Sequence, residues 1–412
     1  MKKEPILFVL NHILSIFVPM IQSMIISLPM MVCIILSALL GLSLHDRWDR
    51  PKSRLLIYMI TAAFLYLAHS IYFYRLTEAI PFSDTVYSFC NPAVFPLFYI
   101  YIEELTMNQP HRWHQLLYLL PAFFCFMIVG VLYILMDKGE TVQFIQAHLY
   151  DDKYATLTGL AWWQGQAHLL VKIVFALEIP PIFIFGWQRV TQYNRLIENF
   201  YSNIEEKSLN SVKPLLILLV TASLIAFACN AVGRYRFADS MWMLAIPSAI
   251  FSVLILLIGH VGLRQNFSIQ DAIQEIDDTD EPISILKDEE SLKGKIRHLV
   301  EDNALYLQPN LKTNDLAKQL HTNRNYIYQV INVEMGMSFS EYINRKRIDH
   351  AVLLIESDPY AYLAEVAVKS GFSSISTFYR NFKLYIGCSP SDFQQKIQTK
   401  LLASKKASSR NL

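Results

Sequence analysis

Long apolar segments follow one another through the first two thirds of the chain. Stretches of about 20 residues with few charged side chains lie at 22–43, 55–75, 85–104, 115–136, 165–187, 213–233 and 240–262. A bilayer core of about 30 Å needs roughly 20 apolar residues in helical conformation. Because backbone polar groups in hydrocarbon must be satisfied within the segment, unbroken stretches of this length indicate helices rather than barrel strands. The pattern therefore predicts about seven membrane-spanning helices.

The amino-terminal residues leave one alternative open. Pro5–Leu44 contains no Asp, Glu, Lys or Arg and is longer than one span requires, while Asn11, His12 and Pro19 interrupt its first half. We interpret residues 5–19 as an interfacial or outer segment, and an eighth, short span is the alternative. With either count, the excess of Lys and Arg in alternate loops predicts a carboxyl terminus in the cytoplasm.

Charge divides the chain into regions. Residues 1–262 hold 33 charged side chains, about 13%, whereas residues 263–412 hold 38, about 25%, which is the usual share in soluble proteins. The low share of charged residues in 1–262 excludes the possibility that the whole chain is a single soluble globular enzyme. Residues 291–412 carry 17 Lys and Arg against 10 Asp and Glu, a net charge of +7, and such a balance favours a polyanionic partner.

The predicted domains follow these changes in composition. They are a transmembrane bundle at 1–264, an acidic linker at 265–290, a basic domain at 291–398 and a basic flexible tail at 399–412.

Two similar helix pairs are predicted inside the basic domain. A short helix at 311–320, capped by Thr313, precedes a turn and a second helix at 324–333, for which Asn323 is the expected N-cap. The same unit recurs as 363–370, a turn at Gly371, and 374–385. A helix of about 26 Å at 339–355 joins the two. A short helix, a tight turn and a second helix are typical of the helix-turn-helix motif.

An ordered set of residues across 292–396 resembles the carboxy-terminal DNA-binding domain of AraC/XylS-type transcription regulators. It comprises Leu316-Ala317, Gly336-Met337-Ser338-Phe339, Tyr342, Arg345, Arg347-Ile348, Ala351, Leu354, Val366-Ala367, Gly371-Phe372, Phe378, Arg380, Phe382-Lys383, Gly387 and Ser389-Pro390. His321 departs from the turn glycine common in other helix-turn-helix proteins. The layout is similar to the membrane-embedded branch of the family, in which several helices replace the soluble sugar-binding domain. The implied fold is all-α: a polytopic transmembrane helical bundle followed by a soluble domain with two helix-turn-helix units.

The outer faces of the two second helices are the predicted DNA-binding surface. The first face carries Arg324, Asn325, Tyr328, Gln329 and Asn332. The resemblance implies that base-reading positions fall on Asn325, Tyr328 and Gln329, and in the second helix on Ile375, Ser376, Thr377, Tyr379 and Arg380. Asn and Gln can pair with adenine and Arg with guanine, and the helix N-termini at Asn323 and Ser374 can accept phosphate. Double-stranded DNA is therefore the expected partner.

Two groups of ionisable residues each allow two interpretations. The run Arg345-Lys346-Arg347 is either a solvated face or part of an internal ion pair, and Arg347 resembles a structural position of the family. Within the fifth span, His168 and Lys172 share a helix face and Glu178 lies near the bilayer centre. Because intramembrane ionisable groups are costly, these three residues either form a ligand pocket or make internal ion pairs and interhelical hydrogen bonds.

The leading functional hypothesis is a regulator in the bacterial cytoplasmic membrane, with the bundle as signal sensor. An alternative is a transporter or channel with a regulatory DNA-binding tail, and another is proteolytic release of the tail at residues 269–290. The expected partners are DNA, the lipid bilayer and an unknown signal ligand, with RNA polymerase and a second copy of the chain as further candidates. The five cysteines are isolated and no nucleotide-binding or hydrolase motif occurs, so no enzyme activity, metal or cofactor is expected.

Overall fold

The described part of the chain is helical. A computed structural model describes residues 4–107, 112–151, 153–205, 207–232, 241–265, 267–269, 272 and 289–408. Among these residues there are helices and turns but no β-strand, which confirms the all-α prediction. The chain divides into two compact units, one formed by Met1–Val190 with Asn210–Ser268 and the other by Thr191–Leu209 with Ile269–Leu412.

The first unit is built from long apolar helices. They are α1 (Glu4–Asp46), α2 (Arg50–Phe73), α3 (Ile80–Thr106), α4 (Arg112–Leu117), α5 (Leu120–Leu135), α6 (Lys138–Gln143), α7 (Gly159–Phe200), α8 (Val212–Val232) and α9 (Met241–Arg264). Single 3₁₀ turns occur at Thr77–Ala79 and Tyr154–Thr156, and a π-helical segment at Phe144–Tyr150 follows α6.

Six of the described helices are long and apolar enough to cross a membrane, judged by length and composition. The predicted sixth span, 213–233, corresponds to α8, whose apolar part in the described side chains, Val212–Ala228, is shorter than a span. Residues 5–19 belong to the continuous helix α1 and do not form a separate eighth helix, while their interfacial or outer location stays a prediction. Asn11 and Pro19 lie within this helix and do not end it.

Helix α3 is the most buried element of the first unit. It packs against α2 and α5, α2 packs in turn on α1, and α1 also contacts α9. The core contains Tyr58, Phe98 and Tyr101, each at most 2% exposed. By contrast, large apolar side chains such as Ile134 and Leu177 point outward and are 83% and 69% exposed. Apolar residues therefore lie on both the inner and the outer faces of these helices.

The second unit contains a group of shorter helices. They are α10 (Glu289–Arg297), α11 (Thr313–Gln319), α12 (Arg324–Tyr328), α13 (Phe339–Ser357), α14 (Leu363–Lys369), α15 (Ile375–Ile386) and α16 (Pro390–Ser408). Two apolar clusters stabilise them. Ile327, Ile331 and Tyr342 belong to the first, and Ile348 and Phe378 to the second. Because α13 contributes to both clusters, it is the structural link between the two halves of the unit.

Two predicted boundaries differ from the structure. Residues 191–209, assigned from hydropathy to the membrane region, group with the second unit, because they make polar contacts that hydropathy does not reveal. Residues 399–408, predicted as part of a flexible tail, continue helix α16. Most of the predicted acidic linker at 265–290 and the end of the tail at 409–412 lie outside the described residues.

Candidate DNA-binding site

The first helix-turn-helix unit consists of α11, a turn and α12. The side chain of Asn323 accepts a hydrogen bond of 2.9 Å from the backbone N–H of Asn325, so the predicted N-cap is confirmed. His321 adopts a left-handed conformation with φ of 50° at the position where other such motifs use glycine. The prediction that Thr313 caps α11 is wrong: Thr313 is its first helical residue, and Lys312 precedes the helix.

The second helix of this unit presents the predicted outer face. It is α-helical up to Tyr328 and continues as a π-helical segment, Gln329–Glu334. Ile327, Val330 and Ile331 are buried beneath it. Asn325, Tyr328 and Gln329 are exposed, whereas Arg324 and Asn332 are half-buried. Three potential base-reading side chains are therefore accessible together on one face.

The second helix-turn-helix unit consists of α14, a turn and α15. Gly371 in the turn has φ of 85°, a conformation that glycine adopts without the Cβ clash of other residues. An added Cβ there would lie 2.7 Å from the carbonyl oxygen of Leu307. The hydroxyl of Ser374 caps α15 by accepting a 3.2 Å hydrogen bond from the backbone N–H of Thr377. The turn at Gly371 and a helix N-terminus at Ser374 were predicted from the sequence, whereas the capping by Ser374 was not.

The structure separates the five predicted residues of α15 into two groups. Ile375, Ser376 and Arg380 are exposed. Thr377 is only 3% exposed, and Tyr379 is half-buried, with its hydroxyl 3.1 Å from the hydroxyl of Ser391. The helical period places residue 377 beside the buried Phe378, so in this structure Thr377 does not belong to the outer face. Whether each exposed residue touches a base stays a prediction.

Arg347 is a structural residue at the centre of the second unit. It is 1% exposed. Its guanidinium donates to the carbonyl oxygens of Tyr306, Gln308 and Pro309 at 2.7, 2.6 and 3.1 Å. These acceptors are neutral, and burial lowers the pKa of Arg347 to about 10. Arg347 is therefore held by backbone carbonyls rather than by the ion pair considered from the sequence.

The rest of the predicted charge run behaves differently. Lys346 forms a half-exposed ion pair with Glu301 at 3.0 Å, while Arg345 is exposed. Each of the two interpretations from the sequence thus holds for one residue: Arg345 is solvated and Lys346 is paired.

The predicted sensing residues do not converge on one point in the first unit. His168 is 4% exposed, and its Nε2 lies 2.7 Å from the carboxylate of Asp84, which also accepts a 2.8 Å hydrogen bond from the hydroxyl of Tyr133. Lys172 lines a cavity of about 530 Å³ that His168 also borders. Both carboxylate oxygens of Glu178 are buried without a hydrogen-bond partner among the described residues. Glu178 is not part of the described lining of this cavity.

Two elements were not singled out from the sequence. Asp84 is the partner of His168, and its only signal was its position at the edge of a charge-free stretch. The segment Asn199–Glu205 packs onto the helix-turn-helix units through hydrogen bonds such as the one from Thr313 to the carbonyl of Asn199, at 2.8 Å. This contact joins residues more than a hundred positions apart, so no local pattern indicates it.

Comparison with known proteins supports the assignment of the carboxy-terminal domain. Residues 316–396 match the family model described as a helix-turn-helix domain. The Msm operon regulatory protein of Streptococcus mutans is 38% identical over 88 residues, which are 21% of this chain and 31% of that protein. The melibiose operon regulatory protein of Escherichia coli is 34% identical over 93 residues, 22% of this chain and 30% of that protein.

A third relative matches the same region of the chain. The uncharacterized HTH-type transcriptional regulator YtdP of Bacillus subtilis is 28% identical over 102 residues, 24% of this chain and 13% of that protein. The chain thus spans less than a third of the length of each of these three relatives. No solved structure matches the chain. The carboxy-terminal part of the chain is an AraC-type helix-turn-helix domain, related in sequence to transcription regulators.

Proposed function

We propose that the chain is a membrane-bound transcription regulator that reads DNA sequence with its second unit and senses a signal with its apolar helices. The observation that carries the DNA-binding part is the pair of exposed polar faces on α12 and α15, each at the start of a capped helix. The relatives named as operon regulatory proteins support the same function.

The spacing of the two faces suits duplex DNA. Helix α13, which joins the two helix-turn-helix units, has 19 residues and is therefore about 28 Å long. Successive major-groove faces on one side of B-DNA lie about 34 Å apart. A single chain can then read two half-sites, with Asn325 and Gln329 facing adenines, Arg380 facing a guanine and Ile375 near a thymine methyl group.

The membrane location rests on the outer faces of the apolar helices. The side chain of Ile134 is 83% exposed. Contact of such apolar area with water costs about 25 cal/mol of free energy per Å². Exposed apolar residues recur along α1, α5, α7 and α9, and a lipid bilayer removes that cost. We therefore place the chain in the cytoplasmic membrane with its carboxy-terminal unit in the cytoplasm. RNA polymerase and a second copy of the chain are further proposed partners.

The signal site that we favour is the cavity in the first unit. Its wall is mainly apolar and includes the polar side chains of His69, Asn91, Lys172, Ser223 and Ser248. Such a lining suits a lipophilic molecule with a small polar group. Native mass spectrometry of the purified protein should detect a bound molecule of this kind, and Ser223→Phe, which fills the cavity, should remove it.

The DNA-binding function is tested by selection on genomic DNA. Full-length protein in lipid nanodiscs is incubated with sheared DNA of its host, and bound fragments are sequenced. We expect enriched sites that contain two half-sites about 10 base pairs apart. The double variant Gln329→Ala with Arg380→Ala should lose this enrichment, while Arg345→Ala, which changes an exposed residue outside the recognition helices, should keep it. Absence of enriched sites for every form of the protein would overturn the proposal.

A further inference from the structure

The segment Asn199–Glu205, which follows the apolar part of α7, lies on the helix-turn-helix units of the second unit. Ser202, at the centre of the segment, is held by backbone hydrogen bonds. The backbone N–H of Ser202 donates to the carbonyl of Leu311 at 3.0 Å, and its carbonyl accepts from Ser340 and Asn344, both at 3.1 Å. Ser202 is 1% exposed. The segment is thus an integral part of this unit and not a loose loop.

One end of the segment meets the predicted DNA-binding surface of the first helix-turn-helix unit, and the other end meets the turn of the second unit. At one end, the side chain of Asn332 donates a 2.6 Å hydrogen bond to that of Asn199, and the guanidinium of Arg324 lies 5.6 Å from the ring centre of Phe200. At the other end, the amide of Asn203 donates to the hydroxyl of Ser373 at 2.6 Å. Both helix-turn-helix units are therefore touched by one short stretch of chain.

Glu205 occupies the N-terminus of the second recognition helix. Its carboxylate accepts a 2.5 Å hydrogen bond from the hydroxyl of Ser374 and another from the hydroxyl of Thr377. Desolvation acts to raise the pKa of Glu205, but these hydrogen bonds and the positive charge of Arg380 hold it below its ordinary value. A carboxylate therefore sits where hydroxyl donors, a helix N-terminus and an arginine together favour an anion.

We propose that Glu205 occupies a DNA-phosphate position formed by the hydroxyls of Ser374 and Thr377 beside Arg380, so that the segment Asn199–Glu205 competes with DNA for the second unit. A carboxylate and a phosphate oxygen cannot both accept from the same hydroxyls. The negative charge of Glu205 also repels the DNA backbone and offsets the charge of Arg380. The base-reading residues stay exposed, and binding is weakened because the phosphate contact beside them is taken.

The position of the segment in the chain makes it suitable for regulation. Helix α7 is continuous from Gly159 to Phe200, so the segment begins where this helix ends. Helix α8 begins at Val212, shortly after the segment. A ligand that binds two arrangements of these helices with different affinity changes the population in which the segment is seated. This inference rests on the proposed DNA binding.

The test measures the affinity of full-length protein in nanodiscs for a fluorescein-labelled 30-base-pair duplex of random sequence at low salt, where phosphate contacts dominate. Glu205→Ala should bind at least several-fold more tightly than the wild type, and Glu205→Gln, which keeps the shape but not the charge, should lie between them. Glu356→Ala is the matched control. It removes the same charge from an exposed position on α13 and should change the affinity little.

A second measurement uses the unmodified protein. Hydrogen exchange of the backbone amides of residues 203–205, 207 and 208 should become faster when the duplex is added, because DNA displaces Glu205. Equal affinities of wild type, Glu205→Ala and Glu356→Ala, with exchange unchanged by bound DNA, would overturn the inference while leaving DNA binding intact. If no form of the protein bound any duplex, the proposed function itself would fail.

Discussion

The Nη2 atom of Arg347 lies 2.6 Å from the carbonyl oxygen of Gln308 and donates a hydrogen bond to it. This bond ties α13 to the chain segment before α11. Nε of the same guanidinium donates to Tyr306 at 2.7 Å. One buried side chain thus fixes the connection between α10 and the first helix-turn-helix unit.

Replacement of Arg347 by methionine should destabilise the second unit by about 3 kcal/mol, because buried carbonyl oxygens left without donors cost about 1–3 kcal/mol each. The loss can be read from pulse proteolysis of full-length protein in increasing urea, with fragments of 289–408 followed on a gel. Arg345→Met is the control and should cost little, since Arg345 is exposed. Equal urea resistance of the two variants would contradict the role assigned to Arg347.

Gly371 and Gly387 allow backbone strain to be separated from steric clash. Both have nearly the same positive φ, 85° and 84°, so alanine at either position should cost about 1–2 kcal/mol from conformation alone. At Gly371 the new Cβ would also lie 2.7–2.8 Å from backbone atoms of Tyr306 and Leu307, whereas at Gly387 no atom lies within 4 Å.

Gly371→Ala should therefore destabilise the second unit more than Gly387→Ala, by at least about 1 kcal/mol. The same proteolysis assay measures the difference. A larger loss for Gly387→Ala would show that the approach of Leu307 to the turn is not a stabilising feature of the fold.

Removal of the Asp84 carboxylate should destabilise the first unit. Asp84→Ala leaves the ring nitrogen of His168 and the hydroxyl of Tyr133 without this acceptor, and each unsatisfied buried donor costs about 1–3 kcal/mol. Tyr133→Phe removes one donor and leaves His168 paired, so it should cost only about 1 kcal/mol. In thermal unfolding of the purified protein in detergent, the midpoint should fall more for Asp84→Ala than for Tyr133→Phe. An unfolding midpoint of Asp84→Ala equal to that of the wild type would contradict this prediction.

Arg380→Ala should reduce specific DNA affinity by about 1–3 kcal/mol and relax the preference at one base position. The measurement is a set of duplexes in which each position of a selected site is changed in turn. Lys383 is also exposed on α15 and is not a predicted base-reading residue, so Lys383→Ala should weaken all duplexes by a similar factor. If Arg380→Ala also weakened all of them equally, Arg380 would contact phosphate only.

Much of this architecture could be predicted from local sequence. The apolar stretches predict the long helices because helix period and span length are local properties of the chain. Asn323 and Ser374 predict the starts of α12 and α15, since a cap bonds a backbone N–H two or three residues away. The exposed faces with Gln329 and Arg380 follow from the same helical period.

Other features depend on contacts between distant residues. The family resemblance placed Thr377 among the base-reading residues, yet the structure buries it, with its hydroxyl bonded to Glu205. The sequence shows a charge at Asp84 and a histidine at 168, but only the packing of α3 beside α7 brings them within 2.7 Å.

The sequence by itself determined the class of each region, an apolar helical region followed by a basic domain with two helix-turn-helix units, because composition, periodicity and capping act over a few residues. Only the tertiary structure decided which polar groups meet: Arg347 with backbone carbonyls, Asp84 with His168, and Glu205 with Ser374. These pairings join positions 39 to 169 residues apart. Their free energy arises from burial and hydrogen bonding that exist only after the chain has folded.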